Sequence, residues 1–260
     1  MAAQFSVTAF VLHRRPYRET SFLTTFFSET EGKFNAVVKG VRPSRGRSKS
    51  STQKLAWLQP FQPLLLSWQE KENALSELVT LRQFEPAESY SQYQALAGEA
   101  KICALYMNEL LYRLLYPRVA VEGVFAAYQT HLQQLSDIPD NNRQQMSWIL
   151  RQFELQLLQE MGQGLNLEWD LEQQPIQVDR RYFYLHEQGL VSESQLQTWQ
   201  AEALQNNLSL AAIPVSGRCL IALQNGSFCS ACLVEWKAFF RQILRLYLGN
   251  QPLYTRQLFQ

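Results

Sequence analysis

The chain has 260 residues, 46% apolar and 12% aromatic with 18% charged, which predicts packed globular domains and excludes general disorder. No run of roughly 18 apolar residues occurs, so no membrane-spanning helix is expected. Net charge is +1, but residues 1–84 carry twelve Lys/Arg against six Asp/Glu, while residues 85–260 carry twelve against seventeen. The stretch Lys33–Lys54 holds seven basic residues and no acid, so the N-terminal part is expected to attract polyanions and the remainder is not. Met1–Leu12 lacks the basic leader and small-residue cleavage site of a secretory signal. Four cysteines with one close pair do not make a disulfide scaffold, and a reducing cytoplasm is the expected compartment.

The first 84 residues read as β structure. Ser6–His13 is rich in β-branched and aromatic residues; Ser21–Phe27 and Phe34–Lys39 flank a polar turn whose Gly32 supplies a positive φ. Phe34, Ala36 and Val38 alternate with Asn35, Val37 and Lys39, the period of a strand with one buried face. From Lys39-Gly40 through Ser51 the chain is polar and basic without apolar periodicity, and reads as a loop. Phe61–Trp68 and Leu75–Phe84 complete five short strands, which suit a small closed or partly open barrel.

After Glu85-Pro86 the period becomes helical. Cys103, Tyr106, Leu110 and Leu114 form one stripe, stopped by Pro117; Val124, Tyr128, Leu132 and Leu135 form a second, ending near Pro139. Met146, Ile149, Leu150, Phe153, Leu157 and Met161 form a third, with Gly162 and Gly164 as stop signals. Arg181–His186 followed by Gln188-Gly189 reads as a short hairpin. Ser194–Ala203 and Ser216–Leu223 read as short helices, and Leu233, Trp236, Phe240, Ile243 and Tyr247 mark a last one closed by Gly249. The expected architecture is α+β and multidomain: an N-terminal OB-fold β-barrel over 1–84, then a mainly α-helical domain over 85–260 with a small hairpin insertion.

Little in the sequence points to catalysis. His13, His131 and His186 have no Ser, Cys or carboxylate at a motif spacing, and no Gly-rich phosphate loop follows a strand. Cys229-Ser-Ala-Cys232 lacks the second ligand pair of a structural zinc site; Cys219, ten residues upstream, has no evident partner. The pair reads either as small apolar residues at the start of a helix or as a redox couple. The basic stretch follows a hairpin in a domain rich in aromatics (Phe10, Tyr17, Phe22, Phe26, Phe27, Phe34), and a charged groove with aromatic faces is how small barrels hold single strands. In the third helix, Arg151 beside Phe153 and before Glu154 suits a site for an acidic, hydrophobic peptide, whose carboxylate an Arg takes bidentately.

Taken in order, these residues resemble a known family. The run Ala9–Ser21 (AFVLHRRPYRETS), Gly32, Val38–Arg42 (VKGVR), Leu58–Leu64 (LQPFQPL) and Leu78–Arg82 (LVTLR) are similar to the bacterial RecO family. The similarity continues through Tyr106–Leu111 (YMNELL), Arg151–Leu155 (RQFEL), Tyr247–Leu253 (YLGNQPL) and Arg256–Phe259 (RQLF). The resemblance implies an OB fold followed by a helical domain, binding of single- and double-stranded DNA, and annealing of complementary strands. It implies work with RecR, and in some bacteria RecF, to help RecA replace single-stranded DNA-binding protein (SSB), whose acidic, Phe-terminated tail these proteins bind. Arg151 matches the family's tail-binding arginine. Many relatives carry a four-cysteine zinc site; this chain has no such set, and Cys229 and Cys232 fall too near the C-terminus to replace it, so it resembles the zinc-free branch.

The resulting expectation is a non-enzymatic recombination mediator of the cytoplasm and nucleoid, with no catalytic residue, metal or cofactor. Arg14, Arg15, Lys33, Lys39, Arg42, Arg45, Arg47, Lys49 and Lys54 are the expected DNA contacts, and Arg151 with Phe153 the SSB-tail site. Two other readings are a protein-interaction adaptor, whose barrel binds a peptide and whose basic stretch is a linker, and a nuclease. The last would need convergent carboxylates, for which Glu29 and Glu31 in one turn are a poor basis.

Overall fold

In the computed structural model, residues 2–42, 49–71, 78–87, 96–139, 142–198, 212–249 and 251–259 are described. They pack as two compact units, one of residues 1–141 with 252–260, the other of residues 142–251.

The first unit is built on five strands: β1 (Ala2–Tyr17), β2 (Ser21–Ser28), β3 (Gly32–Val38), β4 (Leu64–Lys71) and β5 (Leu78–Pro86). They close in the order β1-β2-β3-β5-β4, the OB-like barrel expected, with β3 and β5 parallel from Asn35↔Leu78 to Val37↔Thr80. Closure depends on the length of β1. Its first half pairs with β4 (Ala2↔Lys71 to Ala9↔Leu64) and its second with β2 (Ala9↔Ser28 to Tyr17↔Ser21), with a bulge between Val11 and His13 where it bends. The sequence pattern ended this strand at His13. The polar run Arg14–Tyr17 stays extended because β2 supplies its ladder, and Pro16 stands near the strand end, where a missing N–H costs little.

Alternate residues fill the barrel: Ala9, Val11, Phe26, Phe34, Ala36, Val38, Leu64, Leu66, Trp68, Val79 and Leu81 form one core cluster. Between β3 and β4, where the sequence pattern shows only a loop and no helical stripe, runs α1 (Lys49–Trp57). Its amphipathicity is weak, but Leu58 just beyond it is fully buried and Trp57 packs against Phe84, so α1 covers one end of the barrel.

The outer wall is apolar too. Phe10 and Phe27 point away from the barrel interior onto Phe125 and Tyr128 of α3 (Glu122–Asp137), at ring separations of 5.2–6.1 Å. From α2 (Gly98–Leu114), Asn108 donates to the Val11 carbonyl and accepts from the Tyr128 hydroxyl, so one buried amide joins barrel, α2 and α3. Glu109 of α2 takes the chain's C-terminal stretch. Its carboxylate accepts from the backbone N–H of Tyr254 and Thr255 and from the Thr255 hydroxyl, while Arg256 lies over the Tyr106 ring.

The other barrel end is sealed by Arg118, from the loop after α2. Its guanidinium bonds Glu31 at 2.8 Å and Glu70 at 2.7 Å, beneath the rings of Phe34 and Trp68, and Trp68 Nε1 donates to Glu70. Gly32, at φ +61, lets this loop approach: a Cβ there would collide with the Val119 carbonyl.

In the second unit, α4 (Arg143–Leu158) ends in a π-helical turn at Gln159–Gln163, where Gly162 has φ +75. It packs on α6 (Leu233–Leu248) through Trp148 and Trp236, whose rings lie 4.9 Å apart. The expected hairpin, β6 (Arg181–Leu185) and β7 (Gly189–Ser192), gains a third strand, β8 (Ala212–Ser216), in the order β7-β6-β8. Pro214 concealed β8 from the pattern. It also blunts the edge, since Pro214 has no N–H and the Ser216 N–H, two residues on, is taken by Glu235. Helix α5 (Gly217–Gln224) comes next, capped by Ser216, and Cys219 in it is disulfide-bonded to Cys232 at the start of α6. This corrects the expectation that Cys219 has no partner. A thirteen-residue separation carries no local signal, and only the packing of α5 and α6 brings the two Cα atoms to 5.5 Å.

Buried charge and buried histidine each generate a stability prediction. Arg118→Ala leaves Glu70 buried without its cation and is expected to cost about 3 kcal/mol in urea unfolding, with a smaller loss in a Glu70→Gln background. His131, buried with Nδ1 2.7 Å from the Ala127 carbonyl oxygen, has its pKa held below the usual 6.5 by burial. Stability is therefore complete above about pH 6.5 and declines as pH drops through the folded value, because the unfolded chain takes the proton first. His13 is lowered likewise, by burial and by Arg15, so His131→Gln is expected to flatten the decline without abolishing it, read from urea midpoints across that range.

Candidate nucleic-acid interface

The barrel end covered by α1 gathers the cations. Phe22, opposite Pro16 and Val38 in the sheet, lies half-buried with Arg14 over its ring at 5.4 Å and Arg42 at 5.9 Å. Arg14 is held by the Leu58 carbonyl at 2.6 Å, and burial lowers its pKa. Arg42 is held by the Arg18 carbonyl, while the backbone N–H groups of Val41 and Arg42 both donate to Thr20. These bonds pin the start of the basic stretch onto the β1–β2 turn. In that turn Arg18, at φ +52, lies over the Tyr17 ring at 5.2 Å. Arg15 and Lys39 are exposed, and Lys54 is half-buried on α1.

Lys33 does not join them. It stands six residues before Lys39, about 20 Å along the strand, and its ammonium donates to the Tyr112 carbonyl at 2.6 Å, with its pKa lowered by burial. Arg45 and Arg47 lie outside the described residues, as does the side chain of Lys49 at the first position of α1. Of the six rings expected as stacking candidates, Phe10, Phe26, Phe27 and Phe34 are buried and belong to the core; Tyr17 and Phe22 remain at the surface. The period-2 pattern could not separate these, because the outer barrel wall is covered by helices and its outward rings are buried as well. Arg18 was missed although it lies in the basic half of the chain; only the turn geometry shows it stacked on Tyr17.

Arg151 is 6% exposed on α4 and bonds Glu154, one turn on, at 2.7 Å. Its guanidinium lies over the Phe240 ring at 5.8 Å, and its Nε has no hydrogen-bond partner among the described residues. Phe153 is fully buried and presents no surface of its own. Among the described residues, no three His, Cys, Asp or Glu side chains converge as a metal site, and no helix is long and apolar enough to cross a membrane.

A closed five-stranded barrel with stacked cations and surface rings at one end defines a nucleic-acid-binding barrel of the OB type. The particular family is given by comparison with known proteins. Residues 1–90 match the family described as "Recombination protein O N terminal", and residues 96–257 match "Recombination protein O C terminal". The chain is 35% identical over 254 residues to "DNA repair protein RecO" of Alteromonas mediterranea, covering 97% of this chain and 96% of that protein. It is 38% identical over 257 residues to the protein of the same name from Nitrosococcus oceani, covering 97% and 91%, and 37% over 252 residues to that of Nitrosospira multiformis, covering 96% and 92%. The chain belongs to the RecO family.

The Arg151–Glu154 pair generates a prediction that any functional test of Arg151 needs. Arg151→Ala is expected to destabilise the second unit by about 3 kcal/mol, since it strips a buried carboxylate of this cation, whereas Arg151→Met with Glu154→Leu costs far less. Thermal midpoints of the two variants check this.

Proposed function

We propose that the chain is a recombination mediator that holds DNA at the α1-covered end of its barrel and docks on SSB through its helical part. Membership in the RecO family makes it a DNA repair and recombination protein; the proposal concerns how. The observation that carries it is the stack of Arg14 and Arg42 on Phe22, beside Arg18 on Tyr17. Charge tracks phosphate and rings accept bases, with no sequence-reading element.

In this reading residues 1–84 hold two strands. Arg15, Lys39 and Lys54, with Arg45, Arg47 and Lys49 of the basic stretch, screen repulsion between phosphates while base pairing supplies the driving force. No nucleotide hydrolysis and no catalytic residue are needed. Lys33, tied to Tyr112, steers rather than contacts. Residues 85–260 carry the partners: the acidic tail of SSB at Arg151, and RecR, with RecF where it is used, in helping RecA load. A tail carboxylate reaching Arg151 would take its unbonded Nε or displace Glu154, beside the Phe240 ring that the guanidinium covers. The setting is the cytoplasm, at the nucleoid.

The test is annealing of complementary oligonucleotides, bare and SSB-coated, by wild type, by a variant neutralising Arg42, Arg45, Arg47 and Lys49, and by Arg151→Lys. The loop variant is expected to fail on both substrates. Arg151→Lys, which keeps the charge but not the fork, should fail on coated strands alone. Neutralising about five phosphates gives a log–log salt slope near −3.5 for single strands. A slope near zero, or wild type that anneals neither substrate, would leave the adaptor reading as the better account.

A further inference from the structure

Several exposed groups of the first unit are used neither by the core nor by the barrel-end cluster. Tyr112, in the last turn of α2, is 41% exposed, and Tyr116, two residues past the end of that helix, is 76% exposed. The outer face of β1 presents His13 beside Tyr112, with Arg15 two residues on along the same side of the strand, both exposed. The His13 ring lies 5.1 Å from that of Tyr112, and the Lys33 ammonium 5.7 Å from it.

The backbone around these rings is pinned. Lys33 Nζ donates to the Tyr112 carbonyl, the Arg118 N–H to the Lys33 carbonyl at 2.8 Å, and Pro117 bridges to Lys33. Such a surface loses little conformational freedom on binding. The carboxylates of Glu31, Glu70 and Glu109 have internal partners: Glu31 and Glu70 bond Arg118, and Glu109 holds Tyr254 and Thr255. What faces solvent is the Tyr112 ring in the last turn of α2 and the Tyr116 ring just past the helix end, with Arg15 exposed on the β1 face that carries His13 and the half-buried Lys33 next to Tyr112. That combination complements a polyanion with planar faces, not an apolar partner surface.

We propose that Tyr112 and Tyr116 are a base-stacking platform for single-stranded nucleic acid. It continues along the outer face of β1 from the cluster at Tyr17 and Arg18. The proposal rests on the DNA-binding reading above and adds a second contact region to it. Bases of a single strand are free to stack on the rings, whereas those of a duplex are already stacked.

The experiment is fluorescence anisotropy of labelled oligothymidine and of a duplex of equal length, with wild type, Tyr112→Ala, Tyr116→Ala and Tyr116→Phe, backed by photocrosslinking of a bromodeoxyuridine strand. Each alanine variant is expected to weaken single-strand binding at least about fivefold while duplex binding changes less than about twofold. Tyr116→Phe should bind as wild type, and the crosslink should fall on Tyr112 or Tyr116. Because the Tyr116 ring is largely exposed, Tyr116→Ala should melt as wild type does. Wild-type affinity in both alanine variants would overturn the platform while leaving the barrel-end reading intact. Equal loss on both substrates would overturn stacking in favour of a general electrostatic or folding effect. Wild type that binds neither DNA would overturn both readings.

Discussion

The guanidinium of Arg118 is the constraint on which the first unit turns. It draws together a hairpin turn (Glu31), the end of β4 (Glu70) and two interior rings (Phe34, Trp68), from a loop that succeeds α2. A barrel of five strands has two open ends, and water reaching Phe34 and Trp68 would weaken the core at one of them. Two carboxylates and a cation at 2.7–2.8 Å close that end, and the guanidinium, largely desolvated, is tolerated there because each of its two ion pairs offsets the loss of water. The opposite end is covered by α1, where Arg14, Arg18 and Arg42 are held by carbonyls and rings rather than by acids. At one end of the barrel the cation is thus paired with acids, whereas at the other the cations are left without them, and the proposed binding of a polyanion at the α1 end draws on that difference.

The same logic explains the YMNELL motif. Its three polar or aromatic members hold two segments: Tyr106 under Arg256 and Glu109 on the backbone at 254–255 both hold the C-terminal stretch, while Asn108 bridges Val11 and Tyr128. Two family-like stretches about 145 residues apart in sequence are therefore one piece of structure. The motif is a fastening of the first unit. Arg113, which donates to the Pro252 carbonyl, extends the fastening by another turn of α2.

Most of the fold was legible because periodicity reports burial. Strands β2 and β3, the turn at Gly32, and helices α2, α3, α4 and α6 lie within a few residues of where apolar spacing placed them. The failures have particular causes. Helix α1 is polar over nearly its whole length and is anchored by Leu58, just past its end, so no stripe announces it. Strand β8 contains Pro214, which reads as a strand breaker yet is tolerated where no neighbour requires its N–H. The Cys219–Cys232 bond joins two helices and has no local spacing to betray it. At the site, charge asymmetry found the right half of the chain but could not tell Lys33, anchored to α2, from Arg42, stacked on Phe22. It could not find Arg18 at all, because both distinctions lie in tertiary contacts.

The second unit poses a different problem, a cation that is buried and yet expected to act. Arg151 is 6% exposed, and an ion pair so placed gains little net stability over an apolar pair of the same shape. What a charged group offers there and an apolar one does not is a guanidinium edge that can exchange partners. Glu154 satisfies Nη2 in the free protein, and Phe240 covers one face of the plane. An arriving carboxylate meets a cation already oriented and desolvated, so part of the cost of ordering it has been met in folding. If the proposed docking on SSB holds, Glu154 is an internal stand-in for the ligand, and affinity at Arg151 is then a competition between two carboxylates, one covalently tethered and the other supplied by the partner.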